Sequence, residues 1–316
     1  MRKIDTGGAA RTATRLMAAG LLVSLVAAGC GDDDDDDADS AATTQAAPAT
    51  AAPTTEASTD TTAAGSDTSD TTDAATGTTD AASPAVMPEI PGGTASHEFC
   101  EGFVGVEMAF KNAPEDPAQL EAFVEEQLTP NVEMIRANLP EGELGEQVTV
   151  MVDAVDEVAQ TGDFAAFETE EFSTASAGVY GSLEDACGIP DVDVTAVDYA
   201  FDGVPQTLDA GLVTFVLTND SEAGEFHEIS LVKLQDDADL SVEELVALPE
   251  EEAEALIESF GGGAFAPPMA TSGTVIELTP GRWVYACFIP VGSVGETEGT
   301  GPPHAVEGMV GELIVE

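Results

Sequence analysis

The chain has 316 residues, 61 of them acidic and 8 basic, for a formal charge of −53. A surface so negative repels phosphate backbones and anionic head groups, which excludes nucleic acid and heparin-like polymers as partners. A hydrophobic content of 43% excludes both a wholly disordered chain and a multi-span membrane protein.

Residues 1–29 read as an address. Arg2, Lys3, Arg11 and Arg15 make a positive start, and Leu16 to Ala28 is apolar but too short to act as a stop-transfer span. Ala27, Ala28 and Gly29 then stand directly before Cys30. The stretch resembles a bacterial lipoprotein signal with its lipobox, with Ala27 where Leu is commoner. The resemblance implies cleavage before Cys30, lipid on its sulfur and amine, and an extracytoplasmic protein anchored to the cell membrane. An ordinary secretory signal is the alternative. Either reading puts the mature chain in a compartment where disulfides persist.

Residues 30–95 read as a disordered tether. Gly31 to Ala85 contains no Val, Ile, Leu, Met, Phe, Tyr or Trp, so nothing in it offsets the entropy of ordering. Asp32 to Asp37 are consecutive aspartates without the turn glycine and spaced ligands of a calcium loop, and read as a solvated spacer. The following stretch is rich in Ala and Thr.

Residues 96–190 carry helical periodicity. Apolar positions recur at Phe99, Phe103, Val106 and Phe110, at Leu120, Phe123, Val124 and Leu128, and at Leu144, Val148, Met151, Val152, Val155 and Val158. A less regular set runs through Phe164, Phe167, Phe172, Val179 and Leu183. Pro114, Pro117, Pro140, Gly142 and Gly162 separate the sets, and Pro130 is expected to kink or split the second helix. Four helices with short links predict an up-down-up-down bundle. Its first and last ends then lie together, which predicts a disulfide between Cys100 and Cys187.

Residues 191–316 change to short β-runs: Val192 to Phe201, Leu212 to Thr218, Phe226 to Leu234, Val275 to Leu278, Trp283 to Ile289 and Met309 to Val315. Ser241 followed by Glu244 forms a capping box, and Pro249 to Phe260 reads as a second helical piece, released by Gly261-Gly262-Gly263. The predicted fold class is α + β in separate domains, a four-helix bundle followed by a β-sandwich with one helical excursion.

With Cys30 taken by lipid and Cys100 by Cys187, Cys287 is left as a thiol that is either buried and inert or coordinated. Two of the three histidines, His227 and His304, fall in the same β-region, and Met309 follows His304 with four residues between.

On these residues the C-terminal region resembles the cupredoxins, the plastocyanin-like blue copper family. VTFVLTNDSEAGEFHEISLVKL is similar to the family's strand–Asn–loop–His element. LTPGRWVYACFIP, followed by PPHAVEGMVGELIVE, is similar to its Pro-Gly turn, aromatic strand, cysteine and His-x4-Met closure. The resemblance implies a cupredoxin-like sandwich holding type 1 copper through His227, His304, the Cys287 thiolate and the Met309 thioether. Such a set suits both copper oxidation states. Two departures stand out: sixteen residues, 288–303, separate Cys287 from His304, and Glu228 follows His227 where the family often has Asn.

Two functions are consistent with the sequence. One is a membrane-anchored copper protein that transfers single electrons or holds copper, its acidic surface steering it to a basic redox partner. The other is a copper-free cupredoxin-like binding or structural module of the cell envelope. No G-x-S-x-G, H-E-x-x-H or zinc-type cysteine pair occurs, so the chain is not expected to be an enzyme.

Overall fold

The computed structural model describes residues 87–114, 119, 122–161, 164–295 and 297–316. The expected signal peptide, the lipid attachment at Cys30 and the tether as far as residue 86 lie outside the described residues.

Helix α1 (His97–Phe110) begins at Ser96, whose side chain accepts from the Phe99 N–H and so satisfies one of the orphan donors of the first turn. A π-helical turn, Val124–Leu128, runs directly into α2 (Thr129–Ala137). Pro130 lies in the first turn of α2, directly after the π-helical turn, so the second predicted helix changes from π to α beside the proline and stays helical through it. Then come α3 (Glu143–Thr161), a 3-10 turn at Phe164–Glu168, α4 (Glu170–Tyr180) and α5 (Leu183–Cys187). Gly188 ends α5 in the left-handed conformation, φ 72°, which glycine adopts without a Cβ clash. Cys100 and Cys187 are disulfide-bonded, with their Cα atoms 5.7 Å apart.

Among the described residues nine strands follow: β1 (Asp191–Val197), β2 (Ala200–Asp202), β3 (Thr207–Leu208), β4 (Gly211–Asn219), β5 (His227–Leu234), β6 (Ile257–Ala266), β7 (Thr271–Leu278), β8 (Gly281–Ala286) and β9 (Val310–Val315). They form one sheet of order β2-β1-β4-β7 and another of order β3-β9-β8-β5-β6. Phe215, Leu217, Ile229, Leu231, Ile276, Trp283 and Leu313 belong to the cluster between the sheets. The Trp283 indole N–H donates to the Thr279 carbonyl at 2.8 Å, so the largest core side chain leaves no polar group unmatched.

Both sheets are covered on their outer faces as well. β5 is buried along its whole length because α6 (Val242–Val246) and α7 (Glu250–Glu254) contribute to a second apolar cluster, which Leu245 shares with Val232, Leu234 and Val284. Ser241 and Glu244 form the capping box of α6. On the other side, Phe99, Phe103, Tyr180 and Leu183 share a cluster with Leu212, Val216 and Val275 of the first sheet. The sequence reading divides the chain at residue 190 into a closed helical bundle and a separate sandwich. In the structure residues 87–316 fall in one compact unit. The reason lies in β4, where Leu212 to Leu217 are all buried, so the outward-facing members need a cover and the helices provide it.

One expectation is corrected outright. The helix predicted over Pro249–Phe260 stops after Glu254, and Ile257–Ala266 is strand β6, paired with β5. Its glycines do not release the chain. A Cβ on Gly261 would stand 2.6 Å from the Trp283 ring, so glycine here permits a close approach of strand to core.

Candidate metal centre

The candidate ligands lie at one end of the sandwich. His227 is the first residue of β5, which pairs with β8 at Ser230↔Ala286, so Cys287 follows directly from the end of the neighbouring strand. His304 opens the short helix α8 (His304–Glu307), and Met309 precedes β9. Backbone bonds lock these segments together. Cys287 N–H donates to Met309 O, Ala305 N–H to Cys287 O, and Met309 N–H to His304 O, at 2.8 to 3.0 Å.

His227, Cys287 and His304 are wholly buried, and their ligand atoms lie within 4.8 Å of one another. The two Nδ1 atoms face each other at 3.1 Å, and Cys287 Sγ is 3.3 Å from His304 Nδ1. Imidazole nitrogens about 2.0 to 2.1 Å from one first-row ion stand about 2.9 Å apart at a right angle and about 3.4 Å apart at the tetrahedral angle. For a thiolate about 2.3 Å from the same ion, the sulfur–nitrogen spacing runs from about 3.1 to 3.6 Å. Both observed distances fall within these ranges, and the donor set of two imidazoles and one thiol suits copper. Met309 is wholly buried in the inter-sheet cluster that also contains Cys287.

The long segment between Cys287 and His304 is pinched at its base. Pro290 and Pro303 form an isolated bridge, Val291 N–H donates to Pro302 O, and His304 N–H donates to Ile289 O at 2.9 Å. Ser293 O accepts from Phe226 N–H, which ties the loop to the residue before His227.

Glu228 ties β5 to the segment that carries Cys287. Its N–H donates to Cys287 Sγ at 3.4 Å, while its buried carboxyl accepts from Phe288 N–H at 3.0 Å. Burial pushes this carboxyl up to about 7, against the lowering effect of the Phe288 bond. Burial, and then the nearby Glu228, pushes the Cys287 thiol well above its ordinary value. Burial, with repulsion from His304, depresses His227 to about 4. His304 is lowered by burial and partly restored by its bond to Glu225. Both imidazoles are therefore neutral near pH 7, the form in which a ring nitrogen can bind a metal.

Three residues that the sequence analysis does not single out complete the surroundings. Glu225 Oε2 is 2.6 Å from His304 Nε2, and its other oxygen accepts from the Tyr199 hydroxyl at 3.4 Å. The Tyr199 ring lies 4.9 Å from that of His304 and is held at φ 61°, an unfavourable conformation for a residue with a Cβ. Asp198 accepts from Ser221 Oγ at 2.5 Å, joining this turn to the loop that carries Glu225. The His227 Nε2 atom is buried without a partner among the described residues.

No protein-family model and no curated protein matches the chain. Among solved structures, it is similar to auracyanin B at 21% identity, covering 40% of this chain and 88% of that one, with a TM-score of 0.27. It is similar also to auracyanin A, a "blue" copper protein of Chloroflexus aurantiacus, at 21% identity over 40% and 98% of the two chains, TM-score 0.25. Rusticyanin from Thiobacillus ferrooxidans stands at 21% identity over 40% and 77%, TM-score 0.25.

Proposed function

We propose that the chain is an extracytoplasmic copper protein, anchored to the membrane through lipid on Cys30, that carries single electrons. The observation that carries this reading is the burial of one thiol and two imidazoles, with His304 Nδ1 3.1 Å from His227 Nδ1 and 3.3 Å from Cys287 Sγ. Copper held there would supply a one-electron couple.

The protein's own part is to keep the donors in place while the charge changes. The backbone bonds among Cys287, His304, Ala305 and Met309 resist rearrangement, and Glu228 braces the Cys287 sulfur from the neighbouring strand. Burial of the three donors keeps water and exogenous ligands away. A ligand set that moves little between oxidation states gives a small barrier to electron exchange.

The partner expected for such a surface is basic. Arg136 pairs with Asp153 and Asp156, Lys233 with Glu258, and Arg282 with Glu312, so these cations are internally matched against a large acidic excess. Association with a basic patch would slow as salt screens the attraction.

Titration of the full chain with Cu(II) tests the reading. An intense visible thiolate-to-copper band is expected at one equivalent and must vanish in Cys287→Ser. A colourless wild-type protein would instead favour a copper-free module.

A further inference from the structure

We infer that Glu225 is a positioning residue of the metal centre, orienting His304 and biasing the site toward the more highly charged, oxidised ion. The inference rests on the copper reading above and adds to it a residue outside the ligand set.

The geometry is specific. Glu225 Oε2 lies 2.6 Å from His304 Nε2, and both side chains are removed from solvent. A carboxylate can only accept, so the ring must place its hydrogen on Nε2. The lone pair of a neutral His304 is then on Nδ1, the atom that faces His227 at 3.1 Å and Cys287 at 3.3 Å. A carboxylate behind a ligating imidazole fixes tautomer and ring orientation and makes the ring a stronger donor.

Glu225 is itself held on several sides. Asn219, wholly buried, donates from its side-chain nitrogen to the Glu225 and Ala266 carbonyls, both at 2.9 Å. The Asn219 side-chain oxygen accepts from Ser221 N–H, and Ser221 Oγ accepts from Glu225 N–H while donating to Asp198. The loop between β4 and β5 is thus tied at its start to the backbone of the residue that must reach His304. Tyr199 closes the remaining side, with its ring against the imidazole and its hydroxyl toward the carboxylate.

A negative charge this near a ligand in a poorly solvated site stabilises the ion with the greater positive charge. Glu225→Gln keeps an acceptor for the His304 N–H but removes that charge. The ratio of Cu(I) to Cu(II) affinity should therefore rise at least tenfold in Glu225→Gln, a midpoint potential about 59 mV higher.

Two measurements on the full chain test this. In the metal-free wild type at neutral pH, long-range ¹H–¹⁵N correlation of the His304 ring should show the hydrogen on Nε2; a hydrogen on Nδ1 overturns the proposal with no variant needed. In the copper-loaded proteins, a higher potential for Glu225→Gln supports it, and coincident potentials for wild type and variant overturn it. Absence of a charge-transfer band in the wild type would refute the copper reading, while the tautomer of His304 still decides whether Glu225 positions it.

Discussion

Glu228 contacts Cys287 and its neighbour: its backbone N–H donates to the Cys287 sulfur, and its side chain accepts from the N–H of Phe288, the next residue along. The thiol is wholly buried, and burial raises its ionisation well above the ordinary range. In the metal-free native protein Cys287 should therefore resist iodoacetamide at pH 8, and react only after denaturation. Mass spectrometry of timed samples reads this directly. Fast native alkylation would contradict the buried placement.

The helical layer is pinned to the sandwich by Glu107. Its carboxyl accepts from Tyr180 Oη at 2.6 Å, from Val275 N–H at 3.0 Å and from Thr274 Oγ1 at 3.2 Å. Glu107→Leu leaves these donors without their acceptor and should cost about 2 to 3 kcal/mol in urea denaturation. Burial is the largest influence on this carboxyl and raises it above its ordinary 4.5, although its three hydrogen bonds pull the other way. A raised folded value means that its contribution is whole below pH 4.5 and is lost as pH rises through the raised value. The stability gap between wild type and Glu107→Leu should accordingly be wider at pH 4.5 than at pH 8.

The Cys100–Cys187 bridge spans 87 residues of sequence and joins the start of the helical region to its end. Replacing both cysteines by Ser should lower stability by about 4 to 5 kcal/mol on the chain-entropy model. In the copper-loaded protein proposed above the charge-transfer band should keep its energy, because among the described residues the bridge shares no residue or hydrogen bond with the segments that carry the candidate ligands. A shift in the band would show that the helices set the donor geometry.

Gly261 tests the packing of β6. A methyl there would meet the Trp283 ring at 2.6 Å and Ile276 Cγ2 at 3.1 Å. Gly261→Ala should cost about 1 to 3 kcal/mol through overpacking. Since Trp283 is the only tryptophan, its emission spectrum should change in the same variant.

The candidate ligand group was legible because its residue types are scarce. Three histidines and four cysteines in 316 residues make the grouping of His227, Cys287 and His304 conspicuous. Glu225 was hidden for the opposite reason: among 61 acids, one more carboxylate two positions before a histidine carries no signal. Tyr199 escaped because its turn, entered at positive φ, sits inside a stretch whose alternation reads as unbroken strand. The union of helices and sheet had a trace in the sequence. The run Leu212 to Leu217, apolar except for Thr214, signals a strand covered on both faces, whereas a solvated sandwich strand alternates. β6 was misread because a triple glycine carries a turn signal, while its true role depends on an indole supplied from β8.

The pinched neck at Pro290 and Pro303 separates contour length from the spacing of the donors. Seen from the centre, the chain leaves at Ile289 and re-enters at His304 across a single hydrogen bond, as though the excursion between them were a pendant stitched at its root. Its outer turn is then free to vary in size and character without moving either anchor, provided the stitch and the Ser293 tether to Phe226 survive.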